Sequence, residues 1–157
     1  MTNTHPIGID SKASEELREG LDLLLANLQI YYQNLRGLHW NIRGRNFFQL
    51  HAKFEELYND TQLKIDEVAE RILTLYGTPS HTFAAYLSQA RLSIGENIKQ
   101  DEPAVQLVQE NLLGLIDIER PLIAKAAELG DDGTADLLTG FMAEQEKTAW
   151  MFRSWLG

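Results

Sequence analysis

Apolar residues recur at alternating four- and three-residue steps along most of this chain. Leu17, Leu21, Leu24, Leu28, Tyr31, Leu35 and Leu38 form the first series, the pattern of an amphipathic helix packed along one seam. Ser11 or Ser14 is placed to cap it, with Glu15 and Glu16 in an acidic first turn. Asn41-Ile42-Arg43-Gly44 reads as the turn that ends it. The second series is Leu50, Phe54, Leu57, Thr61, Ile65, Val68, Ile72 and Leu75. It predicts a helix capped by Asn46 and running to about Tyr76, ~45 Å long at ~1.5 Å per residue. Residues 77–101 form a connection that is long for neighbouring helices. Phe83, Ala84, Tyr86 and Leu87 suggest a short helix inside it, and the rest is polar loop. A third long helix starts near Pro103, with Val105, Leu107, Val108, Leu112, Leu115, Ile116, Leu122 and Ile123 as its apolar face. Pro121 lies within that pattern and should kink it. After the turn Gly130-Asp131-Asp132-Gly133, Thr134 begins a fourth helix with Leu137, Leu138, Phe141, Gln145, Met151, Phe152 and Trp155 inward. The expected architecture is all-α: a four-helix bundle with one long crossover between its second and third helices and a small helix in that crossover. Residues 1–10 read as a short flexible tail and residues 11–157 as one domain.

Composition narrows the chemistry. The absence of Cys removes disulfides, Fe–S clusters and thiolate metal sites, and fits a reducing compartment. The polar N-terminus has no apolar leader, and no run is long enough to cross a membrane, so the expected location is the cytoplasm with no membrane partner. Against 14 Lys and Arg stand 23 Asp and Glu, a net charge of −9. Such a chain repels nucleic acid at long range and attracts cations.

The polar residues that matter lie on the second helix. His51 and Glu55 are four residues apart, as are Asp66 and Glu70, and His39 precedes His51 by twelve. On an ideal wheel at ~100° per residue, with His51 at 0°, Glu55 falls at ~40°, Asp66 at ~60° and Glu70 at ~100°. The apolar seam averages about −85° on that wheel. All four therefore point away from the chain's own core. The bland reading of such a flank is solvated surface. It also carries Phe48, Ala52, Ala69 and Leu73, a mixture that suits an interface. Glu55 and Asp66 are ~16 Å apart along the axis, whereas metal–ligand bonds reach ~2 Å. The half-motifs cannot share a metal within one chain. An antiparallel copy related by a two-fold axis would bring Asp66 and Glu70 of one chain opposite His51 and Glu55 of the other, twice per dimer. Oxygen donors with imidazole suit Fe(II), Mn(II) or Zn(II). No Glu-x-x-His occurs, so the di-metal site inside a single bundle is not expected.

The pattern H-W-N-x-x-G-x-N-F-x-x-L-H-x-x-F-E over residues 39–55, followed by I-D-E-x-A-E-R-I over residues 65–72, resembles the Dps proteins, the mini-ferritins. Asp131 to Leu138 and Lys147 to Phe152 extend the likeness, which covers the chain beyond its first ten residues. The resemblance implies the ferritin-like form of the bundle and a hollow homo-oligomer of twelve subunits. It implies ferroxidase sites across two-fold interfaces, oxidising Fe(II) with hydrogen peroxide or O2 and storing ferric mineral. Carried over, His39, His51 and Glu55 come from one subunit and Asp66 and Glu70 from its partner. The family usually has Asp at position 55, so Glu55 is a departure. Asp66 and Glu70 would hold the tighter iron with His51 across the interface, and His39 and Glu55 the second iron or a bridging water. Trp40 lies beside His39, as interface packing or as a nearby electron donor. Asp131, Asp132 and Asp136 are placed for capping; in the family, acids here line three-fold pores, and Asp136 is the leading candidate. His5 and His81 read as tail and loop residues.

The alternatives are a nucleoid protein that condenses DNA with secondary iron chemistry, and a non-catalytic bundle that only dimerises. Basic residues argue against the first, since residues 1–16 hold only Lys12, and Arg43 with Arg45 make only a small basic turn. DNA binding is expected to be weak or absent: at ~0.15 M salt duplex DNA should run unretarded in a gel shift, and tight retardation would refute that expectation.

Overall fold

The computed structural model describes residues 5–157. Among these residues five helices follow in order: α1 Ala13–Asn41, α2 Phe47–Thr74, α3 Phe83–Gln89, α4 Asp101–Glu128 and α5 Asp132–Leu156. The long four pack as two antiparallel pairs, α1 on α2 and α4 on α5. α1 also meets α4, and the short α3 lies across α1. The fold is the all-α bundle expected, with α3 where the apolar cluster near Phe83 placed it.

The seams are as the periodicity requires. Leu17, Leu21, Leu24, Leu28 and Leu35 of α1 are completely buried against Phe54, Val68 and Ile72 of α2 and Val105, Leu112 and Leu115 of α4. Each such side chain contributes about 1.5–3 kcal/mol of transfer free energy. Some expected seam positions differ. Ile65 is half-buried, while Lys64 beside it is buried. Met151 and Trp155 of α5 are 39% and 42% exposed, because Phe152 alone takes the inward position in that last turn.

Several ends are built differently from the sequence expectation. Neither Ser11 nor Ser14 caps α1: Asp10 Oδ1 accepts from the Ala13 N–H at 2.7 Å, and the Ser14 hydroxyl donates to the Ser11 carbonyl at 3.0 Å. Asn46 flanks α2 without capping it. Its amide donates to Asp101 Oδ2 at 2.7 Å, tying the starts of α2 and α4. α2 stops at Thr74, and Tyr76 takes a left-handed φ of 64° as the chain turns. α4 begins two residues before Pro103 and includes Pro121, whose ring is on the exposed side. Residues 1–4 of the expected tail lie outside those described. From His5 on the chain is packed: His5 stacks on Tyr76 with centroids 4.6 Å apart, and Ile9 lies against the core.

The crossover is held down by polar side chains of α1. Asp22 accepts from the Ser80 N–H at 2.7 Å and from Gln89 at 3.2 Å. Asn27 Oδ1 accepts from the N–H groups of Arg91 and Leu92 at 2.8 and 3.0 Å. Asn34 donates to the Ser93 carbonyl and to Asn111 of α4, and accepts from the Gly95 N–H. Backbone groups that a loop would leave to water are thus satisfied by the helix beneath.

One core acid titrates in the neutral range. Glu119 is fully buried, and burial pushes its carboxyl up from about 4.5 to about 7, opposed by the hydrogen bond from Gln145 and the Lys64 charge. A carboxyl whose pKa rises on folding holds its proton more tightly in the folded state. Its contribution is therefore full below the unfolded pKa and is lost as pH climbs through the folded one. At about 1.4 kcal/mol per unit, the penalty at pH 8 is on the order of 3 kcal/mol per chain. Glu119→Gln should raise the melting temperature at pH 8, leave it nearly unchanged at pH 5, and flatten the dependence between; a variant equally destabilised at both pH values would contradict this.

Candidate functional site

The end of α1 and the start of α2 meet through two histidines. His39 Nδ1 lies 2.7 Å from the His51 carbonyl, and His51 Nδ1 lies 2.7 Å from the His39 carbonyl. A carbonyl only accepts, so each Nδ1 carries the proton. Each Nε2 then keeps the lone pair a metal ion requires. The rings stack at 3.7 Å with 13° between planes. Phe47, one turn before His51, stacks on its outer side at 4.8 Å, and Tyr58 stands edge-on to His39 at 5.3 Å. His39 is buried by this packing and His51 half-buried.

Glu55, Asp66 and Glu70 are exposed on the same side of α2. Glu55 is near the Tyr58 phenol, whose pKa is raised by burial first and by the Glu55 charge next. Asp66 borders an open groove with Gln29, Tyr32, Gln62, Leu63 and Ile65. Among the described residues no three His, Asp or Glu side chains of the chain converge to hold a metal. His39 and His51 come together; Asp66 and Glu70 stay apart from them, as the axial spacing demands.

The flank around these groups is apolar and open. Phe48 and Phe83 are each 81% exposed, and Leu63, Leu73 and Trp40 are exposed as well. Arg36 bridges two aromatics here, with its guanidinium 4.8 Å from the Trp40 ring and 5.3 Å from Tyr32. Exposed aromatics of this size beside unpaired carboxylates are the makings of a protein interface.

The three acids at the start of α5 separate. Asp131 is buried: it accepts from the Thr134 N–H at 3.0 Å and from Arg71 at 2.6 Å, and its other oxygen takes the Thr134 hydroxyl. It is a helix cap locked to α2, with both oxygens engaged, rather than an open acid. Asp132 and Asp136 are exposed. His5 packs on Tyr76 and has Arg18 and Ser14 within 3.3 Å of Nε2, while His81 is an exposed loop residue.

Sequence reasoning passed over Phe47 and Tyr58. Their signal was present: they stand four residues before and seven after His51, on its own helical face.

The sequence model of the ferritin-like domain matches residues 18–157. A crystal structure of a Dps protein from Vibrio cholerae O1, described as a member of a broad superfamily of ferritin-like diiron-carboxylate proteins, is 44% identical with a TM-score of 0.97, over 100% of this chain and 98% of that one. A DNA protection during starvation protein from Porphyromonas gingivalis is 42% identical over 94% of this chain and 93% of its own length. A solved Listeria innocua Dps variant, 32% identical with a TM-score of 0.87 over 90% of this chain and 94% of that one, carries glycine in place of two histidines twelve positions apart, the separation of His39 and His51.

The two-carbonyl lock predicts one tautomer. In nitrogen-15 NMR of the assembled, histidine-labelled protein at pH 8, His39 and His51 should both show a protonated Nδ1 and a bare Nε2. His39→Phe keeps the stack but loses one bond of about 1 kcal/mol, read as a small fall in melting temperature.

Proposed function

The chain belongs to the ferritin-like family, among the Dps proteins, and from that premise we propose that it is a ferroxidase and iron store. Its substrates on this reading are Fe(II) and an oxidant, hydrogen peroxide before O2. The reaction takes place where two chains meet about a two-fold axis, in a shell of twelve located in the cytoplasm. The observation that carries the reading is the imidazole pair. Two Nε2 lone pairs, of buried His39 and half-buried His51, are fixed in direction beside the helix that also bears Glu55, Asp66 and Glu70, and among the described residues no third ligand joins them.

Each group then has a role. Asp66 and Glu70 of one chain supply hard oxygen donors for Fe(II), and His51 of its partner supplies the nitrogen that completes the tighter position. His39 and Glu55 take the second Fe(II) or a bridging water. Two Fe(II) each give one electron to peroxide, which takes up two protons and leaves as two waters, so no hydroxyl radical is released. The apolar side chains around the flank, Phe48 and Leu73 among them, keep bulk water from the site once the partner covers them. Trp40 packs at that interface. Asp132 and Asp136 are the open acids at the start of α5; repeated about a three-fold axis they would concentrate negative potential and draw Fe(II) inward. Several relatives are named for DNA protection during starvation; removing Fe(II) and peroxide protects DNA without binding it, which suits a chain of net charge −9.

The test is complementation. His51→Ala and Glu70→Gln should each slow peroxide-driven Fe(II) oxidation by more than tenfold in stopped flow, roughly the loss of one strong interaction. Chains of the two variants, dissociated, mixed in equal amounts and reassembled, form mixed pairs with one intact site of two. With about half of all pairs mixed, activity should recover to about one quarter of the parent's. No recovery from a correctly assembled mixture would place the ligands within one chain and sink the shared site.

A further inference from the structure

The middle of the bundle is polar. Each long helix sends polar side chains there: Tyr31 from α1, Thr61 and Lys64 from α2, Glu119 from α4 and Gln145 from α5, all buried. Gln145 Nε2 donates to Glu119 Oε1 at 2.9 Å. The other Glu119 oxygen, the Gln145 carbonyl oxygen and the Tyr31 hydroxyl are buried with no hydrogen-bond partner among the described residues. A cavity of about 20 Å³ lies beside Tyr31, Thr61, Lys64 and Gln145, with Asp60 and Glu144 at its rim. The Thr61 hydroxyl is committed to the Leu57 carbonyl at 2.7 Å. The Lys64 ammonium donates to Asp60 at 2.5 Å and to Glu144 at 2.7 Å, and lies 5.2 Å from the centre of the Phe141 ring.

Diiron-carboxylate bundles hold their metals at this place, with Glu from two helices and Glu-x-x-His from the other two. The residues present do not fit that centre. Glu119 is the one carboxylate among these inward side chains, no histidine reaches them, and a fixed positive charge stands in their midst. Burial would lower the Lys64 pKa, but the hydrogen bonds from its ammonium to Asp60 and Glu144 outweigh burial and raise it. The ammonium is therefore charged throughout the physiological range. Its surroundings are oxygens: the exposed carboxylates of Asp60 and Glu144 in contact, and Glu119 and Gln145 close by, each with one buried oxygen that has no partner among the described residues; with the ammonium between them no three acids converge on one point.

We propose that Lys64 is a resident cation, its ammonium holding the place of a metal at the bundle centre and keeping divalent ions out of a chamber whose oxygens would otherwise bind one. A divalent ion entering now would meet a fixed like charge at contact distance in a medium of low dielectric. With Lys64 shortened to a neutral side chain, Asp60, Glu144 and Gln145 face an enlarged cavity, and Glu119 beside it loses the nearby positive charge. Hard oxygen donors of that number suit a divalent transition metal. Lys64 thus favours metal binding on the exposed flank of α2 by filling an oxygen-lined chamber between the long helices.

The experiment uses the full-length assembled protein carrying His51→Ala and Glu70→Gln, so that the proposed shared site is silent and its failure cannot be confused with this one. Co(II) uptake is counted by equilibrium dialysis and by visible d–d absorption. Adding Lys64→Ala should add one Co(II) per chain; adding Lys64→Arg, which keeps the charge, should add none; adding Glu119→Gln to Lys64→Ala should abolish the gain. If Lys64→Ala unfolds without metal, Co(II) should restore its helical circular dichroism. The proposal is overturned if folded Lys64→Ala takes up no more Co(II) than its parent, if Co(II) fails to restore an unfolded one, or if the gain survives Glu119→Gln, which would put the ion on the surface pair Asp60 and Glu144 alone.

Discussion

Two hydrogen bonds, each from an imidazole Nδ1–H to the backbone carbonyl of the other histidine, decide what the flank of α2 can do. They also solve a problem of the backbone. The His39 carbonyl lies in the last turn of α1, where helical carbonyls have no partner within the helix, and the His51 ring supplies one. The reversal between the helices depends on Gly44, whose φ of 114° is open to glycine and strained for other residues, and on the Arg43 N–H donating to the Lys99 carbonyl at 2.9 Å. Once α1 and α2 are joined this way, the direction of both Nε2 atoms follows from the fold and not from side-chain freedom. Pre-organisation of this kind is what a metal-binding histidine needs from its surroundings.

Carboxylates divide by whether the chain gives them a partner. Asp22 is occupied by Ser80 and Gln89, Asp131 by Arg71 and Thr134, and Asp60 and Glu144 by Lys64. Each of these fastens one element to another or to an internal cation. Asp66 and Glu70 make no ion pair among the described residues, and they share their helix face with apolar side chains too exposed for a finished surface. Folding uses the first group up; on the reading proposed above, the second meets its partner only across the interface.

Much of this was legible from spacing. The seams of α1 and α2 came directly from their four-three steps, because a buried leucine tolerates no polar substitute without a partner. The outward aim of Glu55, Asp66 and Glu70 followed from the wheel alone, whereas His51 is half-buried against His39 of α1. What spacing could not carry were contacts between helices. Nothing local says that Asn46 reaches Asp101 rather than its own backbone, or that Asp131 turns inward to Arg71 sixty residues away. Lys64 was hidden for another reason. Lysine on a helix reads as solvated by default, and beyond its local pair with Asp60 its burial goes with acids on α4 and α5 that become neighbours only in the tertiary fold. Met151 and Trp155 erred in the opposite sense: apolar residues were assigned inward, whereas they line an open groove with Leu50 and Val105.

The bundle centre and the α2 flank form one argument about where charge can be afforded. A metal centre inside a bundle needs several buried carboxylates, and each anion is costly to desolvate unless a cation is always present. This chain keeps one such acid, Glu119, and supplies a permanent cation from its own sequence. Its fold then does not depend on metal being bound. Ligands placed on the outer flank carry no such penalty in the free chain, since water solvates Glu55, Asp66 and Glu70 until a partner arrives. On the reading proposed here the desolvation is deferred to assembly, when the apolar surface of the same flank is buried and offsets it. On that reading folding and metal chemistry are separated, the bundle standing without iron and association creating the place where iron reacts.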